Sequence, residues 1–118
     1  MALPKPHRLK HRRDFDAVYR HGLRCSSRCF TVRALRLKGE LAPSRIGISI
    51  SKKVSKSAVV RNRIKRQIRA GLRQLLPRLA PGWDVVIGVR FQVIECDYFQ
   101  FLQELEQLLT KAEVLYGD

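Results

Sequence analysis

The residues of strongest chemical character lie between Lys52 and Arg69. Lys52, Lys53, Lys56, Arg61, Arg63, Lys65, Arg66 and Arg69 place eight cations in 18 residues, with Asn62 among them. Cations at this density neutralise phosphates, and the release of condensed counterions drives such binding. Wound at 3.6 residues per turn, Arg61, Lys65 and Arg69 fall on one flank, which Asn62, Arg66 and Arg73 extend. Val60, Ile64, Ile68, Leu72, Leu75, Leu76 and Leu79 recur as an apolar stripe for a core. Like charges four apart weaken an isolated helix, so a polyanion is needed to offset the repulsion. A basic run ordinarily means a solvated face, but such faces mix both signs. Here eleven Lys or Arg and no Asp or Glu occur between Glu40 and Asp84. A polyanion site is the better reading.

Residues for hydrolysis are poorly represented. A metal-dependent nuclease needs clustered carboxylates to hold divalent ions near a scissile phosphate. Asp14 and Asp16 diverge around a predicted helix, Glu40 and Asp84 stand apart, and the remaining acids lie near the C-terminus. His7, His11 and His21 form no evident acid–base pair. No Gly-rich phosphate loop or Ser/His/Asp set is present. Cys25, Cys29 and Cys96 are odd in number and make no Cys-x-x-Cys pair, so a disulfide framework is not expected. His21, Cys25 and Cys29 are spaced by four, as metal ligands could be. Gly22, Ser26 and Ser27 argue against a continuous helix there, and a fourth ligand is not evident. Small structural thiols are expected, with no catalytic residues and no metal ligands.

The whole chain supports a binder. At 118 residues, 45% of them hydrophobic, residues 1–118 suit a single folded domain. The net charge of +14 makes nucleic acid the leading partner, ahead of an anionic membrane surface. Residues 1–80 carry +19 and residues 81–118 carry −5, so one side of the molecule should meet the polyanion. No apolar run spans a bilayer and no apolar segment follows the basic N-terminus. A cytoplasmic location is expected, with no membrane partner and no small-molecule substrate.

The elements that position these residues follow from periodicity. Residues 1–10, with two prolines and basic side chains, should form a flexible arm. Residues 12–21 give an amphipathic helix with Phe15, Val18 and Tyr19 on one side, stopped at Gly22. Cys29 to Leu37 alternates as a strand, with Thr31, Arg33 and Leu35 opposite Phe30, Val32 and Ala34. A turn beginning at Lys38-Gly39-Glu40 leads to a second strand, with Ile46, Ile48 and Ile50 on one side. Gly47, Ser49 and Ser51 on the other side leave a shallow surface open to close approach. The basic helix, capped by Ser57, ends at Pro77 and Pro81-Gly82. Trp83 to Phe91 is a third strand, apolar enough for cover on both faces. Asp97 and Gln100 open a last helix with Phe101, Leu102, Leu105, Leu108, Leu109 and Ala112 inward and Glu104, Glu106 and Glu113 outward. The order is helix, two hairpin-joined strands, helix, strand, helix: an α+β two-layer sandwich containing a βαβ unit.

The run from Lys52 to Arg69, with its Arg61-Asn62-Arg63 core, resembles the signature of the bacterial ribonuclease P protein family. It follows a strand, Arg45 to Ser51, as in that family. Arg8-Leu-Lys, Asp14-Phe15, Val18-Tyr19 and Gly22 upstream, and Trp83 to Val89 downstream, continue the resemblance in order. Ser55 stands where many members carry Gly. The resemblance implies a left-handed βαβ crossover, shared with a domain of ribosomal proteins and elongation factors, where general statistics favour the right hand. It also implies the protein subunit of ribonuclease P, an endoribonuclease that removes the 5′ leader of precursor tRNA. The RNA subunit supplies the chemistry with divalent metal, Mg2+ being expected for the holoenzyme and none held by this chain. Lys52, Lys53, Lys56, Arg61, Asn62, Lys65, Arg66 and Arg69 would then contact ribonuclease P RNA. Phe15, Tyr19, Arg33, Ser49 and Ser51 would line a groove for the leader of precursor tRNA. Spacing alone assigns Phe15 and Tyr19 to a core; the resemblance moves them to the cleft, while Arg33 and Ser51 rest on strand parity. A structural ribosomal protein fits the charge and fold equally well, and the missing acid cluster disfavours a stand-alone nuclease. The purified chain, rigorously freed of RNA, is predicted not to cleave precursor tRNA; site-specific hydrolysis in a gel assay would contradict this.

Overall fold

Trp83 to Val89 is apolar at every position except Asp84 and Gly88, and a strand of that kind needs cover on both faces. The computed structural model, which describes residues 3–37 and 42–116, places it inside the sheet as β4 (Trp83–Val89). The other strands are β1 (Leu23–Ser26), β2 (Phe30–Arg36) and β3 (Arg45–Ser49), and the sheet order is β1-β2-β4-β3. The helices are α1 (Arg12–His21), α2 (Ala58–Leu75) and α3 (Tyr98–Lys111). β3 and β4 are parallel and joined through α2, which is the expected βαβ unit; the other pairings are antiparallel.

Pairing differs from expectation in one respect. β2 and β3 do not form a hairpin, because β4 lies between them. β4 is buried on both faces, whereas β2 and β3 each carry polar side chains that suit less enclosed positions. The hairpin partner of β2 is β1, with the Ser27 amide donating to the Phe30 carbonyl at 2.8 Å. β1 is only four residues long and mostly exposed, so its periodicity is too short to read. The turn expected to begin at Lys38-Gly39-Glu40 lies outside the described residues.

Two apolar clusters sandwich the sheet. Phe30, Val32, Ala34, Ile46, Val85 and Ile87 pack with Ile64, Ile68 and Leu72 of α2 and with Phe101, Leu105, Leu108 and Leu109 of α3. Across the sheet, Val86 packs with Leu9 and with Val18 of α1, joined by half-buried Phe15 and Leu35. The larger cluster fixes the roll of α2: with Ile64, Ile68, Leu72 and Leu75 buried, the basic positions between them must face outward. Ser57 caps this helix by accepting from the Val60 amide, and Asp97 caps α3 by accepting from Gln100.

Three further expectations are corrected. The N-terminal segment docks instead of extending freely. Leu3 and Leu9 are buried, the Leu9 amide donates to the Ile46 carbonyl at 3.1 Å, and His7 Nδ1 lies 2.8 Å from the Ser44 carbonyl. Its two leucines supply the apolar anchors that its prolines and charges obscured. Glu104 is buried, not outward: its carboxylate accepts from the Ser27 hydroxyl, the Cys29 amide and the Gln100 amide. Those donors make its burial tolerable, since a buried charge needs partners. Cys29 and Cys96 form a disulfide joining the start of β2 to the segment before α3, leaving Cys25 free. Among the described residues His21 does not group with Cys29; Cys96 and Glu104 do, and there the disulfide leaves no thiolate to hold a metal.

Gly22 ends α1 as expected but for a different reason. Its φ of −75° is open to any residue, whereas an added Cβ would lie 2.6 Å from the Val18 carbonyl oxygen. Close approach requires the glycine here. Truncating fully buried Ile68 to alanine should lower unfolding free energy by about 2–5 kcal/mol in urea titrations. Removal of exposed Arg66 should change it by no more than about 0.5 kcal/mol. The opposite ranking would contradict this roll of α2.

Candidate nucleic-acid interface

On α2, Asn62 and Arg66 are exposed and Lys65 and Arg69 are half-buried; together with Val59 they line a shallow depression. Arg61 behaves differently: its guanidinium donates to the Ser55 carbonyl at 2.7 Å. It thereby ties the lysine-bearing loop to the helix. Ser51 shapes that loop from its other end, its hydroxyl accepting from the Lys53 amide and its carbonyl from the Val54 amide. Lys52, Lys53 and Lys56 are exposed along it. Loop and helix thus present one basic surface, with Arg61 as its internal brace.

The face of the sheet under α1 is built from strand parity. Side chains directly opposite one another in adjacent strands share a face. The register aligns Arg24, Arg33, Val86 and Gly47 in one row across the four strands. The next row is Ser26, Thr31, Gly88 and Ser49. α1 covers part of the first row: Val18 packs on Val86, and Phe15 lies over Gly47, where an added Cβ would sit 2.3 Å from the ring. Tyr19, 44% exposed, stacks with the guanidinium of Arg33 at 4.9 Å from its ring centroid. The second row offers only hydroxyls and a glycine; the Ser26 and Thr31 hydroxyl oxygens are 3.3 Å apart. A low polar floor beside an aromatic wall suits an extended chain with free base faces.

Of the residues predicted for this groove, Phe15, Tyr19, Arg33 and Ser49 come together on one face. Ser51 does not join their row, because β3 ends at Ser49 and the chain turns. Ser26, Thr31, Gly88 and Arg24 were missed. Thr31 follows from the same parity that identified Arg33, while the others depend on β1 and on the register of β4.

Arg69 connects the two surfaces. Besides its place on the α2 flank, it lines a cavity of about 280 Å³ with Arg8, Lys10, Phe15, Ile46 and Gly47. Nearby, Arg45 donates through Nε to Asp84 at 2.9 Å and through a terminal nitrogen at 2.6 Å, and also pairs with Asp14 at 3.2 Å. Donating hydrogen bonds to the Asp84 carboxylate raises the Arg45 pKa above its ordinary value, outweighing partial burial, with the charges of Asp84 and Asp14 adding to it. Among the described residues, no helix is long and apolar enough to cross a membrane.

Residues 3–113 match the family model described as Ribonuclease P. The chain belongs to the ribonuclease P protein family. It is 57% identical to the ribonuclease P protein component of a Cyanothece species, over 98% of both chains. The component from Microcystis aeruginosa is 56% identical over 99% of both. The solved structure of the Staphylococcus aureus RNase P protein superposes with a TM-score of 0.83 at 31% identity, covering 93% of this chain and 98% of that one. The Thermotoga maritima RNase P protein gives 0.77 at 26% identity, covering 94% and 99%. The four-stranded mixed sheet with its helices is thus the α+β fold of this family.

Within the family fold, Gly47 is constrained by the Phe15 ring and not by its own backbone. Gly47→Ala should displace the ring, and the cost should vanish in a Phe15→Ala background, which a double-mutant cycle of urea stabilities measures. Additive losses would mean that the two positions do not touch.

Proposed function

We propose that this chain is the protein subunit of ribonuclease P and works in the cytoplasm, binding the catalytic RNA through α2 and the 5′ leader of precursor tRNA through the α1 groove. The observation that carries this reading is the family match over nearly the whole chain. The juxtaposition of two surfaces of different chemistry supports the division of labour. The α2 surface is cationic and open, suited to the phosphates of a structured RNA, which position without reading sequence. The groove combines an aromatic wall, Arg33 and small hydroxyl side chains. Base stacking there tolerates any sequence, so one groove would serve many leaders.

The chain's own part in the reaction is binding and orientation. Holding leader and catalytic RNA on one rigid body converts a bimolecular encounter into a positioned one. Hydrolysis would belong to the RNA subunit with divalent metal, Mg2+ being the expected ion. Lys52, Lys53, Lys56, Lys65, Arg66 and Arg69 would contact RNA phosphates, Asn62 would add a neutral donor and acceptor, and Arg61 would hold the loop in register. Phe15 and Tyr19 would contact leader bases, with Arg33 and Ser49 at the backbone.

Reconstitution with a ribonuclease P RNA and a 5′-extended tRNA at low magnesium tests the reading. Added protein should stimulate cleavage at one position; no stimulation would refute it. In the same assay Arg66→Ala should weaken RNA-subunit affinity about ten- to a hundredfold. Tyr19→Ala should instead weaken precursor binding about five- to a hundredfold and leave mature tRNA unaffected. Equal losses for precursor and mature tRNA, with a lowered melting temperature, would assign the ring to the core.

A further inference from the structure

We infer that Arg45 is a positioning residue for the groove: by bridging Asp14 of α1 to Asp84 of β4, it sets how α1 stands over the sheet. The inference rests on the groove reading proposed above and adds a residue set to it.

The apolar seat of α1 is small. Leu9, Val18 and Val86 are the buried members of its cluster, with Phe15 and Leu35 half-buried around them. Apolar contact is non-directional, so so few residues do not by themselves fix the angle of a ten-residue helix. The ionic bridge is directional. Asp84 is only 3% exposed, and a carboxylate so enclosed must be paired. Arg45 meets both of its oxygens, which locks the planar guanidinium in place. The remaining terminal nitrogen then faces Asp14 at 3.2 Å. Arg45 is therefore the fixed post and α1 the part being held.

The bridge lies next to the groove's aromatic wall. Asp14 precedes Phe15 in α1, and Arg45 is two residues from Gly47 on the same side of β3. Asp14 on Arg45 and Phe15 on Gly47 thus form consecutive contacts that register helix against strand. Tyr19, one turn further along α1, meets Arg33 at the groove's other end. If the first turn of α1 lifts, the rings leave their seats on Gly47 and Arg33, beside the floor formed by Thr31, Gly88 and Ser49.

The test uses the reconstituted holoenzyme with matched precursor and mature tRNAs, and reads the ratio of their affinities. Asp14→Asn, which leaves the Arg45–Asp84 pair intact, should reduce the preference for precursor about three- to tenfold, part of the loss for one stacked base. Asp14→Glu, which keeps the charge, should restore most of it. Arg45→Lys, which loses the fork, should match Asp14→Asn, and the double variant should be no worse than either single one. A lowered melting temperature with an unchanged ratio would overturn the inference, as would additive losses from a helix-terminus charge acting independently. Tyr19→Ala separates the two levels. If it lowers the ratio while Asp14→Asn does not, the positioning role alone fails. If it too leaves the ratio unchanged, the groove reading fails and the positioning role with it.

Discussion

Enclosure of β4 on both faces is the constraint from which the other placements follow. Val85 and Ile87 on one side and Val86 on the other are fully buried, so helices must cover both sides of the sheet. α2 and α3 cover the first side with a large aliphatic cluster. α1 covers the second with a small one, leaving the row of Ser26, Thr31, Gly88 and Ser49 beside it uncovered by that cluster. The proposed groove lies where the small cluster under α1 stops short of that row. The basic surface exists because the stripe from Ile64 to Leu75 turns the opposite side of α2 outward.

Charge is distributed by the same logic. Three acids are paired internally: Asp84 and Asp14 with Arg45, and Glu104 with Ser27, Cys29 and Gln100. Glu106, within α3, pairs with Arg78. Among the described residues, no carboxylate joins Asn62, Lys65, Arg66 and Arg69 around their depression. A face of that kind attracts polyanions at long range and is correspondingly salt-sensitive.

Much of this was legible in the sequence, for physical reasons. The 3.6-residue stripe of α2 is long and strong, its roll is set by burial, and its basic residues could be assigned to the outside from spacing alone. Strand parity likewise carried Arg33 to the α1 face but misplaced Ser51, because β3 ends at Ser49. What could not be read were features that depend on contacts between distant segments. The insertion of β4 between β2 and β3 is a matter of sheet order, which periodicity does not encode. The docking of Leu3 and Leu9, the burial of Glu104 on a helix that otherwise alternates normally, and the Cys29–Cys96 pairing join residues up to 77 positions apart. The Arg45 bridge is of the same kind: three unremarkable charged residues become a unit only when α1, β3 and β4 meet.

On the proposed reading, one domain uses two surfaces of different chemistry for two RNAs. Amide hydrogen exchange followed by mass spectrometry in the holoenzyme measures this directly. Addition of the RNA subunit should protect the segment from Ser51 through the first turns of α2. Subsequent addition of precursor tRNA, but not mature tRNA, should protect α1 and the outer half of β2. Protection of α2 by the leader, or equal protection of α1 by mature and precursor tRNA, would contradict the division of surfaces.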